Sequence, residues 1–224
     1  MSGHPLDRPV WHALTSVQAG MAIRIGNAVR IDPAVGYFAA AQGTGGADLL
    51  EVTRAAGQPS WLLEGGPVEP PAGLLRSRTA PLTQMIAESP VLDDDDERIV
   101  ALTEDDASEM FTLARATEPG PWESKTHSYG GYYGIRQDGR LVAMAGTRLR
   151  PSESLTEVSG VCTEPAARGR GYARKLMIRV MRDLVARGET PFLHCYSSNE
   201  KAIALYRTLG FAVRRELVVS VLES

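Results

Sequence analysis

The second half of the chain switches between two apolar periods, and each switch predicts an element. Leu155 to Thr163 alternates like a half-buried strand and closes on Glu164-Pro165. Leu176, Met177, Val180, Met181, Leu184 and Val185 then recur at helical spacing, giving one apolar stripe on a helix that stops near Gly188. Phe192 to Tyr196 reads as the next strand. Asn199 caps a short helix through Leu209, Gly210 ends it, and Phe211 to Leu222 closes as a strand. Upstream, Arg98 to Leu102 is a strand, and Thr103 to Asp106 caps a helix whose core face is Ala107, Met110, Phe111 and Ala114. A loop holding Pro119-Gly120-Pro121-Trp122 leads to a hairpin, Gly131 to Arg136 and Leu141 to Leu149, about the turn Gln137-Asp138-Gly139-Arg140. The order is β-α-(α)-β-β-β-α-β-α-β.

The first part carries weaker patterning. Ala22 to Ile25 and Ala28 to Ile31 alternate around Gly26-Asn27 and predict a hairpin. A helix is expected from Ala47 to Ala56, with short strands at Trp61-Leu62-Leu63 and Leu82 to Ala87. Gly43-Thr44-Gly45-Gly46 lacks the following Gly-Lys-Ser/Thr of a P-loop and reads as a flexible connection. The run Asp93-Asp94-Asp95-Asp96-Glu97 repels itself and reads as a solvated linker, so a boundary is placed near residue 92. The expected organisation is a smaller N-terminal α/β domain, 1–92, and a second domain, 97–224. The run has neither the glycine nor the distal glutamate of a calcium loop.

The chain has 224 residues, 43% of them hydrophobic and 23% charged, which suits a globular protein with a substantial core. A net charge of −3 argues against nucleic acid as a partner. No stretch is long enough to span a bilayer, and the N-terminus lacks an apolar signal region, so a cytoplasmic protein without membrane attachment is expected. Cys162 and Cys195 lie in apolar strands outside any CxxC or CxxH arrangement and read as buried thiols. With no metal-ligand spacing, no metal site is expected.

Arg168-Gly169-Arg170-Gly171-Tyr172-Ala173 sits between the strand and the long helix. A glycine-bearing turn that opens a helix presents unpaired N–H groups and the positive end of the helix dipole. That arrangement suits a phosphate or pyrophosphate.

The pattern Arg168-x-x-Gly171-x-Ala173 is followed about 30 residues later by Asn199-x-x-Ala202-x-x-Leu205-Tyr206-x-x-x-Gly210-Phe211. Together with the element order, these motifs resemble the GNAT superfamily of acyl-CoA-dependent N-acyltransferases, over about residues 97–224. Gly134-Ile135-Arg136, Leu141 to Gly146 and Val161 to Pro165 look like an actinobacterial-type branch, similar also to the C-terminal halves of glycine N-acyltransferases. His4 to Leu14 resembles that branch's N-terminal extension. The resemblance implies an α/β (α+β) fold, a mixed and mostly antiparallel twisted sheet flanked by helices.

It also implies acetyl-CoA as cosubstrate and an amine acceptor, a small amine or amino acid, met directly in a ternary complex by a monomer or homodimer. The N–H groups of Arg168, Gly169, Arg170, Gly171, Tyr172 and Ala173 would take the pyrophosphate, and Arg168 or Arg170 would add charge. Val161, Cys162 and Thr163 would pair with the pantetheine arm as one strand pairs with another, in a splay between two strands. Asn199 is a helix cap and a candidate cofactor contact. Tyr206, protonated at neutral pH, is the candidate general acid for the departing thiolate; its other reading is a ring packed on Ala202 and Leu205.

An amine with a lysine-like pKa of roughly 10.4 must lose a proton before it attacks. Glu157 is the first candidate base and His194 the second. The acceptor pocket is expected from Pro119 to Tyr129, the hairpin 131–149 and the N-terminal region, with Trp122, His127, Tyr132 and Tyr133 as aromatic walls. The competing readings are a non-catalytic acyl-CoA-binding module, an acyltransferase for longer acyl groups or protein amines, and a nucleotide-binding oxidoreductase. The last fails for want of Gly-x-Gly-x-x-Gly after an initial strand.

Overall fold

A computed structural model describes residues 3–43, 46–93 and 96–224. Thr44-Gly45 of the glycine connection and Asp94-Asp95 of the acidic run lie outside the described residues. In chain order the elements are α1 (Pro9–Thr15), β1 (Ala22–Ile25), β2 (Ala28–Ile31), β3 (Ala39–Ala41), α2 (Gly46–Ala56), β4 (Ser60–Glu64), β5 (Leu75–Ala87), β6 (Ile99–Leu102), α3 (Ala107–Thr117), β7 (Tyr132–Gln137), β8 (Arg140–Thr147), β9 (Leu155–Thr163), α4 (Tyr172–Ala186), β10 (Thr190–Tyr196), α5 (Glu200–Thr208) and β11 (Phe211–Glu223).

β1, β2 and β3 form a small antiparallel sheet, and the other strands form one sheet in the order β4-β11-β5-β10-β9-β8-β7-β6. Within it β9 and β10 are parallel and the other neighbours antiparallel. The expected mixed, mostly antiparallel sheet flanked by helices is present. The order also revises the expected partition at residue 92. β5, from the first part, runs between β10 and β11 and pairs with both, and β4 adds to the far side of β11. The two parts share one sheet, because β10 and β11 are joined only by the short α5 and leave a strand-wide gap between them.

β5 is longer than the expected Leu82–Ala87. Its outer half, Arg76 to Pro81, is polar and holds a proline, which hides a strand from a propensity reading. Pairing with β10 ends at Leu82, just beyond Pro81. The described residues on either side of the acidic run pack on α4: Val91 and Leu92 cover the core, Arg182 donates to the Leu92 carbonyl at 2.8 Å, and Lys175 pairs with Asp96 at 2.9 Å.

The sheet buries a different core on each face. On one, α4 and α5 set Leu176, Met177, Val180, Met181, Leu184 and Leu209 against Met85, Val158, Leu193 and Phe211. On the other, Leu6, Val10, Leu14, Ile31 and Phe38 pack on Leu63, Leu82, Leu155, Phe192 and Val219. Successive residues Leu193 and Phe192 fall in opposite cores, as the period of two requires. In α3 the core residues are Met110, Leu113 and Ala114. Phe111 is turned outward, since it lies about 100° round the helix from Met110.

Candidate active site

The site begins where two strands part. Pairing of β9 with β10 is confined to Leu155–Glu157 against Thr190–Phe192. Beyond it Val161 to Thr163 has β8 on one side and a cleft of about 660 Å³ on the other. Gly160 sits at the register shift between β8 and β9 with φ +63°, and a Cβ there would lie 2.8 Å from the Tyr132 ring. Only glycine fits that bulge. The cleft draws residues from both cores: Val161, Leu205 and Tyr206 from the helix face, and Phe38, Trp61, Leu63, Leu82 and Val219 from the N-terminal face. It passes through the splay from one side of the sheet to the other.

On the helix side, Gly169 and Gly171 hold φ values of +79° and +76°, with open space where a Cβ would stand. The amides of Gly169 to Ala173 have no backbone acceptor among the described residues, as expected for the opening turn of a helix. Val161, Cys162, Thr163, Arg168, Gly169, Ala173, Asn199 and Tyr206 line the cleft together. Arg168 also donates to the Thr163 carbonyl at 3.2 Å. Arg170 and Gly171 stand outside the lining. The Tyr172 ring turns into the core, where its hydroxyl accepts from Gln137 at 3.0 Å, so only its amide can serve a ligand. Asn199 caps α5 through Oδ1, which accepts from the Ala202 amide at 3.1 Å.

Burial, and then the neighbouring Cys195, push the Tyr206 hydroxyl up to about 12. Burial likewise pushes the Cys162 and Cys195 thiols up to about 11. At neutral pH all three keep their protons. The cleft thus contains a proton donor and two poor nucleophiles.

The N-terminal side holds a buried polar chain. Glu157 is fully buried beneath the cleft floor and takes Arg148 in a two-pronged pair, Nε to Oε2 and Nη2 to Oε1, both 2.9 Å. His194 Nδ1 meets Glu157 Oε1 at 2.8 Å, and the Gln84 amide nitrogen meets His194 Nε2 at 2.9 Å while also donating to the Leu6 carbonyl at 2.9 Å. This network assigns the proton to Nδ1 and the lone pair to Nε2. Arg214 continues the chain, from Gln84 Oε1 to Asp7, both at 2.8 Å.

Burial by itself would raise the Glu157 carboxyl. The charge and hydrogen bonds of Arg148, with the bond from His194, outweigh it and hold the group well below the carboxylate range. For Arg148 burial works to lower the guanidinium, and Glu157 more than restores it.

Two expectations change here. Glu157 does not line the cleft, and both of its oxygens are taken up by Arg148 and His194, which leaves neither facing an amine held there. The expected aromatic walls are also elsewhere. Trp122 is buried edge-on against Tyr132, His127 pairs with Glu104 at 2.7 Å, and Tyr133 donates to Asp183 on α4. Of the loop, Pro119 to Pro121 line the cleft, and beside Tyr206 the aromatic lining comes from Phe38, Trp61 and Tyr196. Phe38 and Trp61 are bridge partners, brought in by the strand pairing of the first part. No local signal marks them, although Gln84, polar within apolar Leu82–Ala87, hinted at a buried partner.

Residues 96–211 match the model of the Acetyltransferase (GNAT) family, about half of the chain. A crystal structure of a putative GNAT acetyltransferase from Novosphingobium aromaticivorans is 51% identical, covers 99% of each chain and superposes with a TM-score of 0.94. This chain belongs to the GNAT acetyltransferase family. It is therefore a transferase of the N-acetyltransferase kind. The N-alpha-acetyltransferase RimI of Mycobacterium tuberculosis is 35% identical over 125 residues, 50% of this chain and 77% of that protein. An uncharacterized protein of Mycobacterium leprae is 40% identical over 87 residues, 38% of this chain, and the chain spans only 24% of that relative's length. Among the described residues no helix is long and apolar enough to cross a membrane.

Proposed function

We propose that this member of the family moves an acetyl group from acetyl-CoA to a primary amine by direct attack in a ternary complex. The observation that carries the reading is the cleft through the sheet, with the glycine turn at one end and Tyr206 inside it. Coenzyme A enters from the helix face. Its pyrophosphate meets the amides of Gly169 to Ala173, since the Arg168 amide already donates to the Pro165 carbonyl, with the Arg168 side chain adding charge, and its pantetheine arm lies along the free side of Val161 to Thr163. The acceptor enters from the N-terminal face, past Phe38 and Trp61. The branch-level resemblance to glycine N-acyltransferases and the α-amine named by the RimI relative both make amino-acid-like amines the first acceptors to test.

In the transfer, the amine nitrogen bonds the thioester carbon and the C–S bond breaks. Tyr206 donates to the leaving sulfur, whose thiol pKa is roughly 8–9 by analogy with cysteine. The amine proton goes to His194, whose Nδ1–H is fixed by Glu157. This requires the amine to replace the Gln84 amide at Nε2. Direct attack is favoured over a covalent enzyme intermediate because both cleft thiols are held protonated.

The test is thiol release from acetyl-CoA against a panel of amines, run beside Tyr206→Phe. Loss of the acid should cut kcat by about 100-fold or more while acetyl-CoA affinity stays the same. Wild-type turnover in that variant removes the acid assignment. Tight acetyl-CoA binding with no turnover for any amine points to a binding module.

A further inference from the structure

We infer that the acceptor carries a carboxylate beside its amine, and that Arg78 receives that carboxylate at the mouth of the cleft. The inference rests on acetyl transfer to an amine and names the class of amine.

The cations around the cleft divide by task. Arg168 and Lys201 line the side where the cofactor's phosphates would lie. Arg148 is neutralised in place by Glu157. Arg78 stands exposed just outside the lining, beside two rings that belong to it, and has no ion pair among the described residues. Its guanidinium lies 4.6 Å from the Trp61 ring centre and 5.8 Å from that of Tyr196, and its Nη2 donates to the Tyr196 hydroxyl at 3.1 Å. Both rings line the cleft. Two aromatic neighbours and one hydrogen bond therefore orient a planar cation with most of its five N–H groups unspent.

Its direction follows from the strand. Arg78, Ala80, Leu82, Gln84 and Ile86 alternate onto one face of β5, the face of the N-terminal core and of the His194 network. Arg78 thus stands on the acceptor's side of the sheet. The π-faces there are already taken by the chain's own guanidinium groups, Arg148 on Phe38 at 4.8 Å and Arg78 on Trp61. A second cation at the mouth would meet repulsion and occupied rings. An anion would meet an oriented guanidinium fork.

The deciding measurement compares phenylalanine, phenylalaninamide and phenethylamine as acceptors for wild type and Arg78→Met. KM is read from thiol release at saturating acetyl-CoA. Affinity is read separately by calorimetry with free coenzyme A present, where no transfer occurs. Wild type should favour the free acid by about tenfold or more in KM and affinity, less so at high salt, and Arg78→Met should bring the ratio near one. Equal or better use of the amide or the decarboxylated amine by wild type overturns the assignment, and so does an acid preference that survives Arg78→Met. If no amine is acetylated but acid-selective binding is present and lost in Arg78→Met, the Arg78 site stands and acetyl transfer falls. If neither turnover nor selective binding is seen, the Arg78 site falls.

Discussion

The two faces of the sheet meet the cleft with different kinds of sequence. The helix face is made from contiguous stretches: one turn with its helix, and α5 with its cap and tyrosine. The N-terminal face is assembled from residues scattered over much of the chain, Phe38, Trp61, Leu82, Arg148, His194 and Val219, and Leu82 and Val219 come together because β5 is threaded between β10 and β11. Binding one invariant ligand can be written locally. The N-terminal side of the cleft is here a product of the whole fold.

The sharpest way to break this contrast is to remove one side. A chain begun at Glu97 loses β4 and β5 and leaves β10 and β11 with bare edges where a neighbour belongs. It should be insoluble or unfolded by circular dichroism. A soluble fragment that still binds acetyl-CoA would mean that the helix face is self-sufficient.

Glu157→Ala comes next. It strands the Arg148 guanidinium and one side of His194 in a buried place, and should cost about 3–5 kcal/mol in denaturant unfolding. The same residue sets an acid limit. Its folded-state pKa is depressed, so its contribution is complete above the unfolded value of roughly 4.3 and is lost as pH falls toward the folded value. The melting temperature should hold from neutrality to about pH 5 and then fall, with a shallower fall in Glu157→Gln.

On the helix face, Gly171→Ala forces a side chain onto φ +76° and should cost about 1–2 kcal/mol of stability, with weaker acetyl-CoA binding by titration. The smallest effect tests the partition itself. Trp61→Ala should raise the acceptor's KM several-fold, on the order of 1 kcal/mol, and leave acetyl-CoA affinity alone. A matching loss of acetyl-CoA affinity would show that the two halves of the cleft are not separate.

Much of the helix face was legible in the chain. The glycine turn, the Asn199 cap, the stripe on α4 and the place of Tyr206 each follow from residues within one or two turns of one another. Glu157 and His194 were legible as a pair worth watching, yet their roles were not. Arg148 and His194, against the effect of burial, hold the carboxylate as a fixed anion, and only the pairing of β5 with β10 puts Gln84 on the imidazole. Trp122, His127, Tyr132 and Tyr133 were misplaced because aromatic residues of a loop and of the strand after it look alike in sequence whether they face a cavity or a core.

By itself the sequence determined the family, the order of the elements after residue 97 and the glycine turn, since these depend on local periodicity and on backbone angles that a few glycines dictate. The tertiary structure decided where the first part of the chain goes, which strand completes the sheet, and what lines the N-terminal side of the cleft. Those outcomes depend on which edges pair, and edge pairing joins residues that have no relation along the chain.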